Sequence, residues 1–268
     1  RGTQARLDGR FMGGEGHGVL YGEMDWAEEL YARLGVFGEN LTVSQPPLVT
    51  AQISPELEVI IRPFQKFVDI QGVVSIPSAT IRPPEATADI VTESPDVSVI
   101  DRRITGNIDQ ILSRAKPWDI NANIGVDLGN EIEFRGFGAV LPLAGAIHLT
   151  QSGQGAMQAL GVVQVSKRTK IDVIGQNLDL NYAQIRFDGD MLNPRLSIEG
   201  EKQIEGQTVG VRIRGTASNP NITVFNDAGL DEYQAMNALV TGRISESSDL
   251  GITEQGFRSQ VTNHLAAA

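Results

Sequence analysis

The chain contains no cysteine, which removes disulfides and thiolate metal sites and leaves a cytosolic and a periplasmic setting equally open. No apolar run approaches the length of a membrane helix, and no basic stretch leads into an apolar one at the start, so any membrane anchor is expected outside this sequence. Arg1 stands where an initiator Met would, which predicts a piece of a longer protein. Aromatic residues are scarce, with 2 Trp and 4 Tyr in 268 residues, too few to plug a wide core. Positive charge is in deficit as well. Against 33 Asp+Glu stand 22 Lys+Arg, a net charge of −11 that repels polyphosphate, so nucleic acid is not an expected partner.

What the chain has in plenty is alternation. Ile120, Ala122, Ile124, Val126 and Leu128 are apolar while Asn121, Asn123, Gly125 and Asp127 interleave, the pattern of a strand buried on one face. A turn is expected at Gly129-Asn130, after which Ile132 and Phe134 face one way and Glu131, Glu133 and Arg135 the other. The rule recurs at Leu141/Leu143, Ile147/Leu149, Val163/Val165, Ile171/Val173, Leu178/Leu180, Ile185/Phe187, Leu196/Ile198, Val211/Ile213 and Ile222/Val224. Turn-type residues stand between them: Gly145, Ser152-Gly153, Gly175-Gln176-Asn177, Asp188-Gly189-Asp190, Asn193-Pro194, Gly206 and Ser218-Asn219-Pro220.

The first third alternates too, at Leu41/Val43, Leu57/Val59/Ile61, Val68/Ile70 and Val74/Ile76, with prolines expected at strand ends. Leu30 and Leu34 fit a helix, but with Ala32 they also fit a strand, and strand is the preferred reading. The expected organisation is β repeats over 1–76, a Pro-rich connector over 77–117, a second β region over 118–228, an amphipathic helix within 229–243 and a polar tail over 244–268. The helix is expected from Leu230 to Thr241, with Asp227 or Asp231 at its start and Gly242 at its stop. Its Tyr233, Met236 and Leu239 stripe suits a cap on the end of a sheet better than a partner helix.

Constellations for chemistry are absent. His17, His148 and His264 have no ligand neighbours in sequence, so no metal is expected. The Gly13–Gly18 stretch lacks the strand, helix and Gly-Lys-Ser/Thr of a phosphate cradle and reads as a turn. Glu131 and Glu133 read as a solvated strand face, Ser152 has no activating context, and no catalytic residue or cofactor is expected. Arg212 and Arg214 are expected only to solvate the outer face.

Several stretches in order resemble the C-terminal region of the translocation and assembly module subunit TamB family, within the AsmA-like group. They are Val74–Ile81, Leu178–Phe187 with Asp188-Gly189, Val211–Pro220, and Asp231–Arg243 ending in Val240-Thr241-Gly242-Arg243. The resemblance implies an all-β fold: an elongated, curved antiparallel sheet folded into a U-shaped hydrophobic groove, a β-taco, with one short C-terminal helix. It also implies a periplasmic segment of an inner-membrane-anchored protein of a diderm bacterium. Phospholipid acyl chains, an Omp85-type (TamA-like) outer-membrane barrel and nascent outer-membrane proteins are the implied partners. The chain departs from the family in closing on Ala266-Ala267-Ala268 rather than on an aromatic-ended strand. On this reading Ile124, Val126, Ile132, Phe134, Leu141, Leu143, Val163, Val165, Ile171, Val173, Ile185, Phe187, Val211 and Ile213 line the groove. Asp at Phe134 or Ile213 is then expected to stop transport without unfolding the chain. Two alternatives share the alternation: a chaperone-like groove for nascent β-strands, and a structural β-solenoid whose apolar faces only pack on each other.

Overall fold

A computed structural model describes residues 2–82, 117–136, 139–173 and 176–244. Alternation produces strands almost throughout: β1 (Gln4–Gly13), β2 (Gly16–Asp25), β3 (Tyr31–Glu39), β4 (Leu41–Gln45), β5 (Val49–Arg62), β6 (Phe67–Ile81), β7 (Asp119–Gly136), β8 (Ala139–Gln151), β9 (Gln158–Val165), β10 (Thr169–Val173), β11 (Gln176–Asp190), β12 (Arg195–Ile204), β13 (Gln207–Thr216) and β14 (Asn219–Asn226). They form one 14-stranded, open, curved sheet in the order β1-β2-β3-β5-β6-β7-β8-β9-β11-β12-β13-β14. The two short strands β4 and β10 pair with β5 and β11. Pairing is antiparallel except between β6 and β7, so the two β-rich parts of the sequence join edge to edge in a single sheet.

Several strands are longer than alternation alone suggested. Gly129-Asn130 is not a turn: β7 runs 18 residues through it, with a bulge between Leu128 and Ile132. Gly145 and Asp188-Gly189-Asp190 likewise lie inside β8 and β11. β6 passes through Pro77 to Ile81, so the expected connector begins inside a strand; its residues 83–116 lie outside the described ones, as does the expected tail beyond Ile244. Pro77 is tolerated because the pairing is irregular between Ile76 and Ser78, where a ladder amide is already missing.

These irregularities fall on one line across the sheet. They comprise the register shifts at Gln52/Ser54 in β5, Ile76/Ser78 in β6 and Leu128/Ile132 in β7. In β8 the line continues at Gly145, which faces Leu128 on one side and Val163 on the other. Gly145 (φ 147) and Gly161 (φ 143) occupy backbone conformations that L side chains avoid, and a Cβ there would collide with the Val162 and Ala146 carbonyls. Bulges and glycine kinks bend strands. Aligned as they are, they mark a crease that divides the strands into two arms, while a kink at Gly72 (φ 141) in β6 and a register shift between Leu180 and Tyr182 in β11 lie off it.

One arm ends at an upper lip built from 26–30, 63–66, 117–118, 152–157, 191–194 and 217–218. The other ends at a lower lip with the turns at 46–48 and 205–206. Where a single strand does not span both arms, two share the work. β3 pairs with the upper half of β5 and β4 with its lower half; β9 and β10 divide β11 in the same way.

Helix α1 (Glu232–Thr241) closes the C-terminal end. Asp231 caps it by accepting from the Gln234 amide at 2.8 Å while the Gln234 side chain accepts from the Asp231 amide, and Gly242 ends it in the left-handed conformation. The other expected start residue, Asp227, accepts instead from the Thr208 amide at 2.7 Å. Ala235, Met236, Ala238 and Leu239 pack with Leu178, Ile204, Val209, Val211, Ile213 and Ile222 into the main core.

Candidate hydrophobic groove

Residues paired across a ladder point to the same side of a sheet, so the register sorts the side chains. One row runs Val74, Val126, Ile147, Gly161, Phe187; the next runs Ile76, Leu128, Gly145, Val163, Ile185, Leu196. Beyond the crease, Ile132 faces Leu143 and then Val165, and Phe134 faces Leu141. Further along, Ile198 faces Ile213, which in turn faces Ile222, and Val211 faces Val224. Ile171 faces Leu178, and Val173 closes β10 opposite Gln176. All the expected groove residues apart from Val173, whose side chain is not described, therefore lie on one apolar inner face.

That face is not uniform. Val211 and Ile213 are each 6% exposed and sit under α1, and Ile171 packs against the same cluster. These three belong to a filled core, so Asp at Ile213 would bury a charge and unfold the region rather than merely block it. Ile132, Leu141 and Val163 are buried at or below the crease. In the upper arm the buried apolar side chains are small ones, Ala32, Pro55, Ala122 and Ala159; every Ile, Val, Leu and Phe there, Ile124, Val126 and Phe187 among them, keeps part of its surface open.

The expected groove set does not take in everything on this face. Ile147, Leu149, Leu196 and Ile198 show the pattern and belong to it. Leu20 and Val36 are also on it, facing each other, and were hidden because Gly22 and Gly38 occupy apolar positions of their strands.

The opposite face carries ion pairs, Arg33 with Glu58 (3.1 Å), Arg135 with Glu133 (2.7 Å), Arg195 with Asp188 (2.6 Å) and Arg212 with Glu199 (2.7 Å), with exposed apolar side chains such as Val19, Phe37, Val73 and Leu160 between them. Arg212 does more than solvate, since its guanidinium also lies 4.8 Å from the centre of the Phe225 ring. His17, isolated in sequence, meets Glu39 at 3.6 Å because β2 and β3 place them opposite each other. A depression of about 610 Å³ lined by Arg6, Asp8, Tyr21, Glu23, Arg33 and Glu58 lies on the first strands; its lining charges have both signs. Asp25, at the upper lip, is held below the usual carboxylate range by the Ala27 amide and then the Gln4 side chain. Among the described residues no group of His, Asp and Glu is arranged to hold a metal, and no helix is long and apolar enough to cross a membrane.

The family model of the TamB C-terminal domain matches residues 5–268 of this chain. The chain belongs to the TamB C-terminal domain family. A curated TamB protein, the translocation and assembly module subunit TamB of Haemophilus influenzae, is 26% identical over 261 residues. The match takes in 92% of this chain and 20% of that TamB, so the chain spans about a fifth of the relative's length.

Proposed function

We propose that the inner face is a path for phospholipid acyl chains between the inner and outer membranes of a Gram-negative envelope, within a translocation and assembly module. The observation that carries this reading is the upper arm, an apolar face left partly open by a sheet that has no second sheet over it among the described residues. Each methylene taken through water costs about 0.8 kcal/mol, so a two-chain lipid faces a barrier of roughly 20 kcal/mol or more. A trough of Ile, Val, Leu and Phe lowers that barrier at every step without a deep well, and the headgroup stays in water. The relative's name, a subunit of a translocation and assembly module, supports a role in outer-membrane assembly, for which an Omp85-type barrel is the partner proposed here.

A photo-crosslinking residue at Ile147 or Phe187 in living cells tests the reading. Radiolabelled phospholipid is expected there and not at Glu133 or Arg186 on the opposite face; equal labelling of both faces would overturn it. A second reading has one observation in its favour, the outer edge of β1, which ends the strand order and could template a nascent outer-membrane strand. Protein crosslinks along β1 without lipid at Ile147 would favour that reading.

A further inference from the structure

The two lips differ, and the difference bears on how a lipid lies in the groove. Both tryptophans of the chain, Trp26 (44% exposed) and Trp118 (43%), stand on the upper lip, together with Phe64 (78%) and Leu192 (81%). They come from four separate segments of the chain, and the Asp119 amide bonded to the Lys66 carbonyl at 2.7 Å brings two of those segments together. Among the described residues of the lower-lip turns there is no aromatic side chain. Arg62 is held at the upper lip over the rings of Tyr31 (5.9 Å) and Phe67 (5.4 Å), and Glu29 accepts from Gln65 at 3.0 Å beside it. Opposite Phe67, Arg62 belongs to the outer side of the sheet, so these charges stand beside the lip and not on the apolar face.

We propose that phospholipid lies in the upper arm with its acyl chains toward the crease and its headgroup past the tryptophan-bearing lip. The inference rests on the conduit reading and adds a direction to it. Indole rings favour the boundary between hydrocarbon and water, since one part of the ring is apolar and the N–H is not. The upper arm runs from Asp119 to Leu128 on β7 and from Gly145 to Gln151 on β8, roughly 20–30 Å at about 3.3 Å per residue. That is ample for the ~15 Å depth of a single leaflet's hydrocarbon. The lower arm is the worse host, because Leu41, Ile132 and Leu141 are already buried there.

Because the chain has no other tryptophan, its tryptophan emission, excited where tyrosine does not absorb, reports the upper lip alone. The 268-residue chain is loaded from vesicles of phosphatidylcholine brominated either beside the glycerol end or near the methyl end of the acyl chains, and bound lipid is measured separately as phosphorus. Bromine beside the glycerol is expected to quench the emission more strongly than bromine near the methyl end, and Trp26→Phe and Trp118→Phe each to remove part of the effect. In a Trp26→Phe/Trp118→Phe chain carrying Val43→Trp on the lower arm, the glycerol-end bromine is expected to leave the emission unchanged. Stronger quenching by methyl-end bromine at the native tryptophans, or glycerol-end quenching at position 43, overturns the orientation. A chain that retains no lipid phosphorus sinks the conduit reading instead, so the two failures are distinct.

Discussion

The upper arm over β7–β9 and the section formed by β10–β14 are made of the same material and end in different states. Both present alternating Ile, Val and Leu on the inner face of one continuous sheet. In β7–β9 that face stays partly open, whereas in β10–β14 helix α1 fills it: Val209 and Ala238 have no exposure and Met236 has 2%. Five consecutive helix residues, Ala235 to Leu239, are buried, which a helix lying on a flat sheet could not achieve; the curled strands enclose it. Polar ties fix it in place. Lys202 donates to the Gln176 side-chain carbonyl at 2.7 Å, and Gln176 donates to the Val240 carbonyl at 3.1 Å. The lesson is that this face accepts an apolar occupant of helical bulk, and that within one section the protein supplies its own.

The sharpest way to break the comparison is to truncate one side chain in each region. Met236→Ala removes a side chain enclosed by the β11–β14 core and should lower stability by about 2–5 kcal/mol. Ile147→Ala, on the open arm, should cost less, because part of that side chain is already in contact with solvent. Urea unfolding of the two variants decides the matter; equal losses would mean that the upper arm is as tightly packed as the helix core.

The next effect in size concerns the crease. Gly145→Val places a Cβ against the Val162 carbonyl at φ 147, and such strain costs on the order of 1–3 kcal/mol. It should also reduce crosslinking of lipid at Ile147, since a straighter β8 opens the groove. This position also shows where sequence reading loses its grip. Gly129-Asn130, Gly145 and Gly189 have the composition of turns, and local chemistry cannot separate a turn from a kink inside a long strand. The choice is made by neighbours: β8 and β6 both continue past the bulge in β7, so its chain has ladder partners to follow. The faces were legible because period two survives a bend. Strand number and length were not, and neither was the covering of Val211 and Ile213, which depends on a helix that follows the next strand along the chain.

The helix was legible because its ends are marked chemically. Asp231 offers a carboxylate to the Gln234 amide and receives the Gln234 side chain in return. Asp231→Ala should cost about 1 kcal/mol, and Asp231→Asn less, since Asn also caps. If the helix holds the inner face shut over β10–β14, a photo-crosslinker at Val209 should begin to capture lipid in Asp231→Ala while capture at Ile147 is unchanged. No gain at Val209 would mean that the section stays filled even when the cap is lost.

The smallest effect is set by pH. Asp227 is fully exposed, yet the Thr208 side chain and then the Thr208 amide hold its carboxyl below the usual carboxylate range. A group whose folded pKa lies below its unfolded value stabilises the fold at pH values above the unfolded one, and that contribution fades as pH falls through the folded value. The contact ties the end of β14 to the start of β13, on the strand pair beneath α1. Its loss should therefore appear as a slight acid-side weakening of the helix section, absent in Asp227→Asn and not shared by the upper arm. Hydrogen exchange of the β13 amides across the acidic range reads it directly. Loosening of β8 and β13 together over the same range would show instead that the two sections open as one cooperative unit, and the contrast between them would then be one of packing only.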